Sequence, residues 1–342
     1  MTIPEFFQRL LRRVQLNNAL AVAGTAAVAI VISFILWINH TIDISNPDQT
    51  SVSSLAGLEC PHTTARPVAV MLSSDAVARP LSGISQADMV IEMPVTPDGI
   101  TRLMAVFQCQ RPKEIGSVRS AREDFLPLVA GLKAIYAHWG GEATALERLN
   151  QHILDNINGL TYEGTVFYRK RGVKPPHNGF TSFKNLWDIA DKLKYATHDQ
   201  FVGYPHKTKL LGRTLANLVD TIAVPYNGEF AVIWHYDRAT NSYLRKRDTQ
   251  LELDRDNNQN VRASVVILME TTSQPIDIQY INIQTAGSGN ARIFQDGVVV
   301  EGTWRKDSTS LDTKLLFIDK KGKEIPFTPG PIWIEIVTGS TQ

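Results

Sequence analysis

The chain is short of cysteine, carries almost no surplus of charge and has no internal repeat, and each shortage removes a class of function. Its two cysteines, Cys60 and Cys109, have neither the spacing nor the number of companions for a zinc site or a redox pair. They are either buried or free thiols or one disulfide, the latter permitted where the compartment is oxidising. Thirty-five Lys and Arg against 34 Asp and Glu leave a formal net charge of +1, so no global basic field recruits nucleic acid. Any polyanion must be met locally. There is no His-Glu-x-x-His, no Walker loop and no Gly-x-Ser-x-Gly elbow, and Gly287-Ser288-Gly289 precedes no helix, which weakens a dinucleotide reading. No metal and no cofactor is expected.

A long apolar run occurs near the N-terminus. Ala19 to Ile38 is 20 residues without a charge, which at about 1.5 Å per residue crosses a hydrocarbon core of roughly 30 Å. Arg9, Arg12 and Arg13 precede it, and the positive-inside bias places residues 1–18 in the cytoplasm and the chain beyond about residue 40 outside. A cleaved signal peptide would have an apolar core of only about 7 to 15 residues. Trp37 reads as an interfacial anchor, and Cys60 lies too far past the run to be a lipidation site. The expectation is a single-pass cell-membrane protein: a cytoplasmic segment 1–18, a transmembrane helix 19–38, a polar tether 39–64 and extracytoplasmic domains.

The folded part is expected to begin near Arg66, as an α/β mixed-sheet domain over 65–215 and a β-rich C-terminal subdomain over 220–340. Apolar runs at 67–72, 87–92 and 101–107 read as strands, with Pro97-Asp98-Gly99 turning a hairpin between the second and third. Ser120 with Glu123 reads as a capping box that starts a helix. A strand over 132–138 and helices over 143–156 and 179–195 follow. Beyond about residue 220 helical periodicity gives way to short apolar runs at 230–236, 264–269, 291–294, 298–300, 315–318 and 332–337, separated by turns such as Asp296-Gly297. Strands of one sheet could come from both halves.

Ile115 to Arg122 sets Arg119, Arg122, Ser117 and Ser120 at a predicted strand-to-helix junction, where guanidinium forks and free amides suit an oxyanion. The alternative is structural salt bridges to Glu123, Asp124 or Glu92. Arg102, at the start of a strand, adds a third guanidinium. His138 ends a buried strand before Gly140 and Gly141, which let a backbone approach a ligand closely. His177 and Asn178 sit in a proline-rich loop, and Arg169 lies in Phe167-Tyr168-Arg169. His138 and His177 are the candidate acid/base groups, and Asp88 and Glu92, four apart on one face of a strand, are candidate supports for the arginines.

These motifs, in this order, resemble the YerB-like family of bacterial envelope proteins, whose main domain is of unknown function. The resemblance rests on Arg66-Pro67-Val68-Ala69-Val70-Met71, the 78–88 segment, Ile100-Thr101-Arg102, the Gly116 to Arg122 motif, His138-Trp139-Gly140-Gly141, Phe167-Tyr168-Arg169 and Pro176-His177-Asn178. Asp296-Gly297, Gly302-Thr303-Trp304 and Gly330-Pro331-Ile332-Trp333 extend it. Two departures stand out. Many members look like lipoproteins, whereas this chain has a candidate spanning helix, and Ser117 replaces the proline usual in the family. The order of Asp88, Arg119 to Arg122 and Gly140-Gly141 is also similar to the LytR-CpsA-Psr glycopolymer transferases, which grip a polyprenyl pyrophosphate with arginines.

Two functions follow as expectations. One is a membrane-tethered envelope protein whose Arg/His pocket binds an anionic envelope glycan or lipid-linked precursor. The other is a phosphoryl or glycosyl-phosphate transferase or hydrolase acting on lipid-linked cell-wall precursors. A further alternative is an envelope protein-protein interaction module, with the β-rich part docking a partner.

Overall fold

The apolar runs at 67–72, 87–92 and 101–107 form the centre of the protein. In the computed structural model they are β1 (Val68–Ser73), β2 (Met89–Pro94) and β3 (Thr101–Phe107). The structure describes residues 33–34, 52–208, 218–247 and 249–339. β2 and β3 pair antiparallel, with Met89 opposite Val106 and Pro94 opposite Thr101. Gly99 supplies the turn at φ +88°, a conformation that side chains resist.

Seven more strands extend this centre: β4 (Ile135–His138), β5 (Asn156–Asn158), β6 (Val265–Thr271), β7 (Gly287–Gln295), β8 (Val298–Lys306), β9 (Leu316–Ile318) and β10 (Ile332–Thr338). The order is β9-β8-β7-β6-β10-β2-β3-β1-β4-β5. β10, the last in sequence, lies between β2 and β6 and is parallel to both. The two halves of the sequence therefore share one sheet, and the expected division near residue 220 does not part it. Alternation sends Leu72, Leu103 and Trp333 into one core and Met71, Met104 and Ile334 into the other. A separate five-stranded sheet, built around Val232–Asp237 and Ser242–Arg247, packs its Trp234 edge-on to Trp333 in the first core.

Three helices matter for the site: α1 (Leu126–Gly131), α2 (Ala143–Asn150) and α3 (Phe183–Lys192). All three begin or end away from expectation. Ser120 caps nothing, because Ala121 N–H donates to Gly140 O and Ser120 Oγ to Trp139 O, which holds the segment extended. A 3-10 turn at Glu123–Phe125 then leads into α1. α2 stops at Asn150, since His152 takes φ +57° and Asn156 pairs with Tyr136 of β4. The predicted helix over 179–195 opens as a strand, Gly179–Thr181, and becomes helical only where the Ser182 hydroxyl accepts the Asn185 N–H.

The expected tether gives way to packed chain earlier than Arg66. Leu55 and Ala56 are fully buried, and Cys60 is bonded to Cys109, which resolves the open question about the thiols. The transmembrane helix expected over 19–38 lies outside the described residues apart from Ser33 and Phe34. Among the described residues no helix is long and apolar enough to cross a membrane.

Candidate functional site

β1, β2, β4, β5, β6 and β10 all run the same way, β3 opposite to them. The C-terminal ends of parallel strands are where α/β layers open toward ligands. Here Ser73 ends β1, His138 ends β4, and Arg102 enters at the start of β3 opposite Ser73. The Ser117–Ala121 segment is laid across these ends. Ser73 N–H donates to Ser117 O, Arg119 N–H to Met71 O and Trp139 N–H to Arg119 O, so the arginine loop is stitched to β1 on one side and to the end of β4 on the other. The Gly116–Ser117 peptide is cis.

Arg102, Arg119 and His177 converge around Asp75, and Arg122 lies beside the first two. Arg102 Nη1 lies 3.2 Å from Asp75 Oδ2, and His177 Nδ1 lies 3.7 Å from the same oxygen. Ser73 Oγ donates to Asp75 Oδ2 at 2.5 Å and sits 3.3 Å from His177 Nδ1. With the hydroxyl proton directed to Asp75, the ring donates from Nδ1–H to Ser73 Oγ, and Nε2 keeps the lone pair; this tautomer is assigned from the hydrogen-bond pattern.

Charge in this cluster is unbalanced. Burial, opposed by Asp75 and reinforced by Arg119 and Arg122, pushes Arg102 down to about 10. Burial also lowers Arg119, with Asp75 opposing and Arg122 adding to the effect. Burial and then Arg119 lower His177, which favours neutral imidazole. Asp75 shows the reverse: burial would raise it, but Arg102, the Ser73 hydroxyl, His177 and Arg119 hold it below the usual carboxylate range. Among the described residues the Nε atoms of Arg102, Arg119 and Arg122 are buried without a hydrogen-bond partner. Arg122 donates to Ala121 O at 3.0 Å and lies under the Tyr280 ring, 5.1 Å from its centroid.

Other predicted residues do different work. His138 is fully buried, its Nδ1 2.7 Å from Gly140 O and its Nε2 3.2 Å from Asn156 Oδ1, so it braces the loop after β4 rather than facing the arginines. Gly140 uses its N–H on Asn158 Oδ1 and needs φ +64°, while Gly141 packs against Ala121 and Leu146. Ser117 is buried in the arginine loop and Ser120 is tied to Trp139 O. Arg169 stacks on Trp139 and pairs with Glu163, and Asn178 accepts from it at 3.3 Å.

The two candidate supporting carboxylates hold other groups. Asp88 accepts the Gln108 and Cys109 N–H groups, and burial raises it to about 6. Glu92 does hold arginines, but they are Arg245 and Arg247 of the five-stranded sheet, together with the Thr101 hydroxyl. Ser73 and Asp75 did not stand out in sequence, because Ser73-Ser74-Asp75 reads as an ordinary turn after a strand; their position at a strand's C-terminal end is the signal that marks them.

No group of three or more His, Cys, Asp or Glu suited to a metal ion occurs among the described residues. Fold and site together define a mixed α/β protein with an arginine-rich cluster at the ends of its central strands. Residues 55–196 match the N-terminal domain, and residues 222–334 the C-terminal domain, of the protein family of unknown function DUF3048. The chain is 34% identical over 285 residues to a protein of Bacillus subtilis (strain 168) named "Putative lipoprotein YerB", covering 80% of this chain and 82% of that one. The crystal structure of the YerB protein from Bacillus subtilis matches with a TM-score of 0.75 at 32% identity, over 84% of this chain and 96% of that chain. The chain belongs to the YerB-like family.

Proposed function

We propose that this chain is a membrane-anchored extracytoplasmic protein of the cell envelope whose Arg/His site binds an anionic, phosphate- or carboxylate-bearing envelope ligand. The observation that carries this reading is the gathering of Arg102, Arg119 and Arg122, each with a buried Nε that has no partner among the described residues, with Asp75 the carboxylate beside Arg102 and Arg119. Guanidiniums that depress one another's proton affinity are relieved by an anion placed between them. The name of the Bacillus relative supports an envelope location. In this chain the apolar run at 19–38 takes the place of a lipid anchor, since no cysteine follows it closely.

A second reading is a phosphoryl or glycosyl-phosphate transferase or hydrolase acting on lipid-linked cell-wall precursors. It is favoured by the neutral His177, whose Nε2 is the lone-pair nitrogen of a ring oriented by Ser73 and Asp75. Incubating the purified chain with lipid-linked glycan intermediates separates the two. Retention without product supports binding, and product that disappears in His177→Ala supports chemistry. If Arg119→Ala and Arg122→Ala change neither retention nor turnover, both readings fail.

A further inference from the structure

A cavity lies on the opposite face of β3 from the strand-end site. Arg102 belongs to that site, while the next residue, Leu103, points the other way and lines a cavity of about 280 Å³ between the large sheet and the five-stranded sheet. Trp333 of β10 adds to its apolar wall, Arg79 and Arg245 bring charge, and Leu251 and Leu253 form part of its lining while remaining 39% and 40% exposed.

The polar part of the wall is built and incompletely satisfied. Arg245 is 1% exposed, paired with Glu92 and Glu252, and held over the Trp333 ring at 4.4 Å. Its Nε is nonetheless buried without a partner among the described residues. A buried donor left without an acceptor is destabilising, and a ligand oxygen would recover that loss. Arg79 donates to the Ser74 and Glu229 carbonyls, and its nearest carboxylate, Glu229, is 3.9 Å away and more than half exposed. Burial and then Arg247 disfavour the charge of Arg79, with Glu252, Glu229 and Glu92 opposing them from a distance, whereas Arg247 itself is paired directly with Glu92 and Glu252. The wall thus holds three arginines, Arg79, Arg245 and Arg247, against one lining carboxylate, Glu252, with one unused buried donor and a run of apolar side chains that reaches solvent.

We propose that this cavity is a second binding site, for a small amphipathic monocarboxylate whose head lies between Arg79 and Arg245 and whose apolar body lies against Leu103, Leu251, Leu253 and Trp333. Size sets the class. At about 280 Å³ the cavity lies at the small end of the range of small-molecule sites, which suits a short-chain monocarboxylate such as octanoate. A long acyl chain would run out past Leu251 and Leu253 into solvent, and a free inorganic anion leaves the apolar wall uncovered.

The test is calorimetric titration of the full-length chain in lipid nanodiscs with octanoate and with octanol, after subtraction of empty nanodiscs. Octanoate binds saturably with one site per chain, and octanol at least tenfold more weakly. Arg79→Met weakens octanoate at least tenfold and leaves octanol unchanged. Leu253→Trp, a change at an exposed position of the lining, weakens both. The proposal is overturned if octanoate shows no saturable binding, if octanol binds as tightly, or if both variants bind octanoate like the parent chain.

Discussion

Replacing Asp124 by Asn makes the stability of this protein less dependent on pH, in a direction the structure fixes. Asp124 is buried where α1 begins and accepts the Ile283 N–H at 2.9 Å and the Asn282 amide at 3.1 Å. It thereby anchors the hairpin of Ser273–Pro275 and Ile281–Ile283, whose loop holds Tyr280 over Arg122. Burial raises its carboxyl from 3.8 to about 7, with Glu142 and Glu123 adding to the rise and the Ile283 N–H and Arg122 opposing it. A value above that of the unfolded chain means that folding favours the protonated form. The contribution is therefore complete below 3.8 and is lost as pH rises through about 7. At about 1.4 kcal/mol per pH unit this amounts to about 4 kcal/mol across the window. Asn has the same shape, cannot ionise and keeps an oxygen for the Ile283 N–H. The assay is urea unfolding of both chains from pH 4 to pH 8, followed by tryptophan fluorescence. The stability of Asp124→Asn relative to the parent should rise by about 4 kcal/mol between those limits, other titrating groups cancelling in the difference. A difference that stays flat within about 1 kcal/mol, or falls as pH rises, refutes the reasoning.

Two further outcomes concern stability. Cys60 and Cys109 are separated by 49 residues, and closing a loop of that length stabilises by about 4 kcal/mol through the unfolded chain; Cys60→Ser with Cys109→Ser should show that loss, and equal denaturation midpoints with and without the bond would contradict it. Glu92 holds Arg245, Arg247 and Thr101 in the dry space between the sheets, so Glu92→Ala leaves two buried cations to share Glu252, with Glu335 near Arg245, and should cost about 3–5 kcal/mol; an equilibrium unfolding loss below about 1 kcal/mol would show that Glu252 and Glu335 suffice to balance them.

Local pattern carried much of the fold. The apolar runs that become β1, β2 and β3, with a glycine turn between the last two, are visible without long-range information because strand alternation and turn chemistry are local. The six apolar runs beyond residue 220 likewise overlap strands of the structure, and Asp296-Gly297 joins β7 to β8 with both residues at positive φ. The start of the helix after Arg122 was not legible. Ser120 and Glu123 satisfy a capping pattern, yet Met71, Trp139 and Gly140 compete for the same backbone and hold it extended. Which arginine meets which carboxylate was equally hidden. Glu92 pairs with residues 153 and 155 positions away, a consequence of one sheet packing on another. At the site, Arg102, Arg119, Arg122 and His177 stand out as cations and a histidine in apolar surroundings, and the fold brings them together. His138 shows the same signal for a different reason: its partners are the loop carbonyl of Gly140 and Asn156, so the polarity serves packing.

The most direct test of the anion-binding claim is calorimetric titration of the parent chain and Arg119→Met with inorganic pyrophosphate and with citrate. Loss of one charge-assisted hydrogen bond is worth about 1.5–3 kcal/mol, or roughly 10- to 150-fold in affinity. At least one of the two anions should bind saturably, weakened by that factor in Arg119→Met. Absence of saturable binding by both anions, or equal affinity in parent and variant, would contradict it.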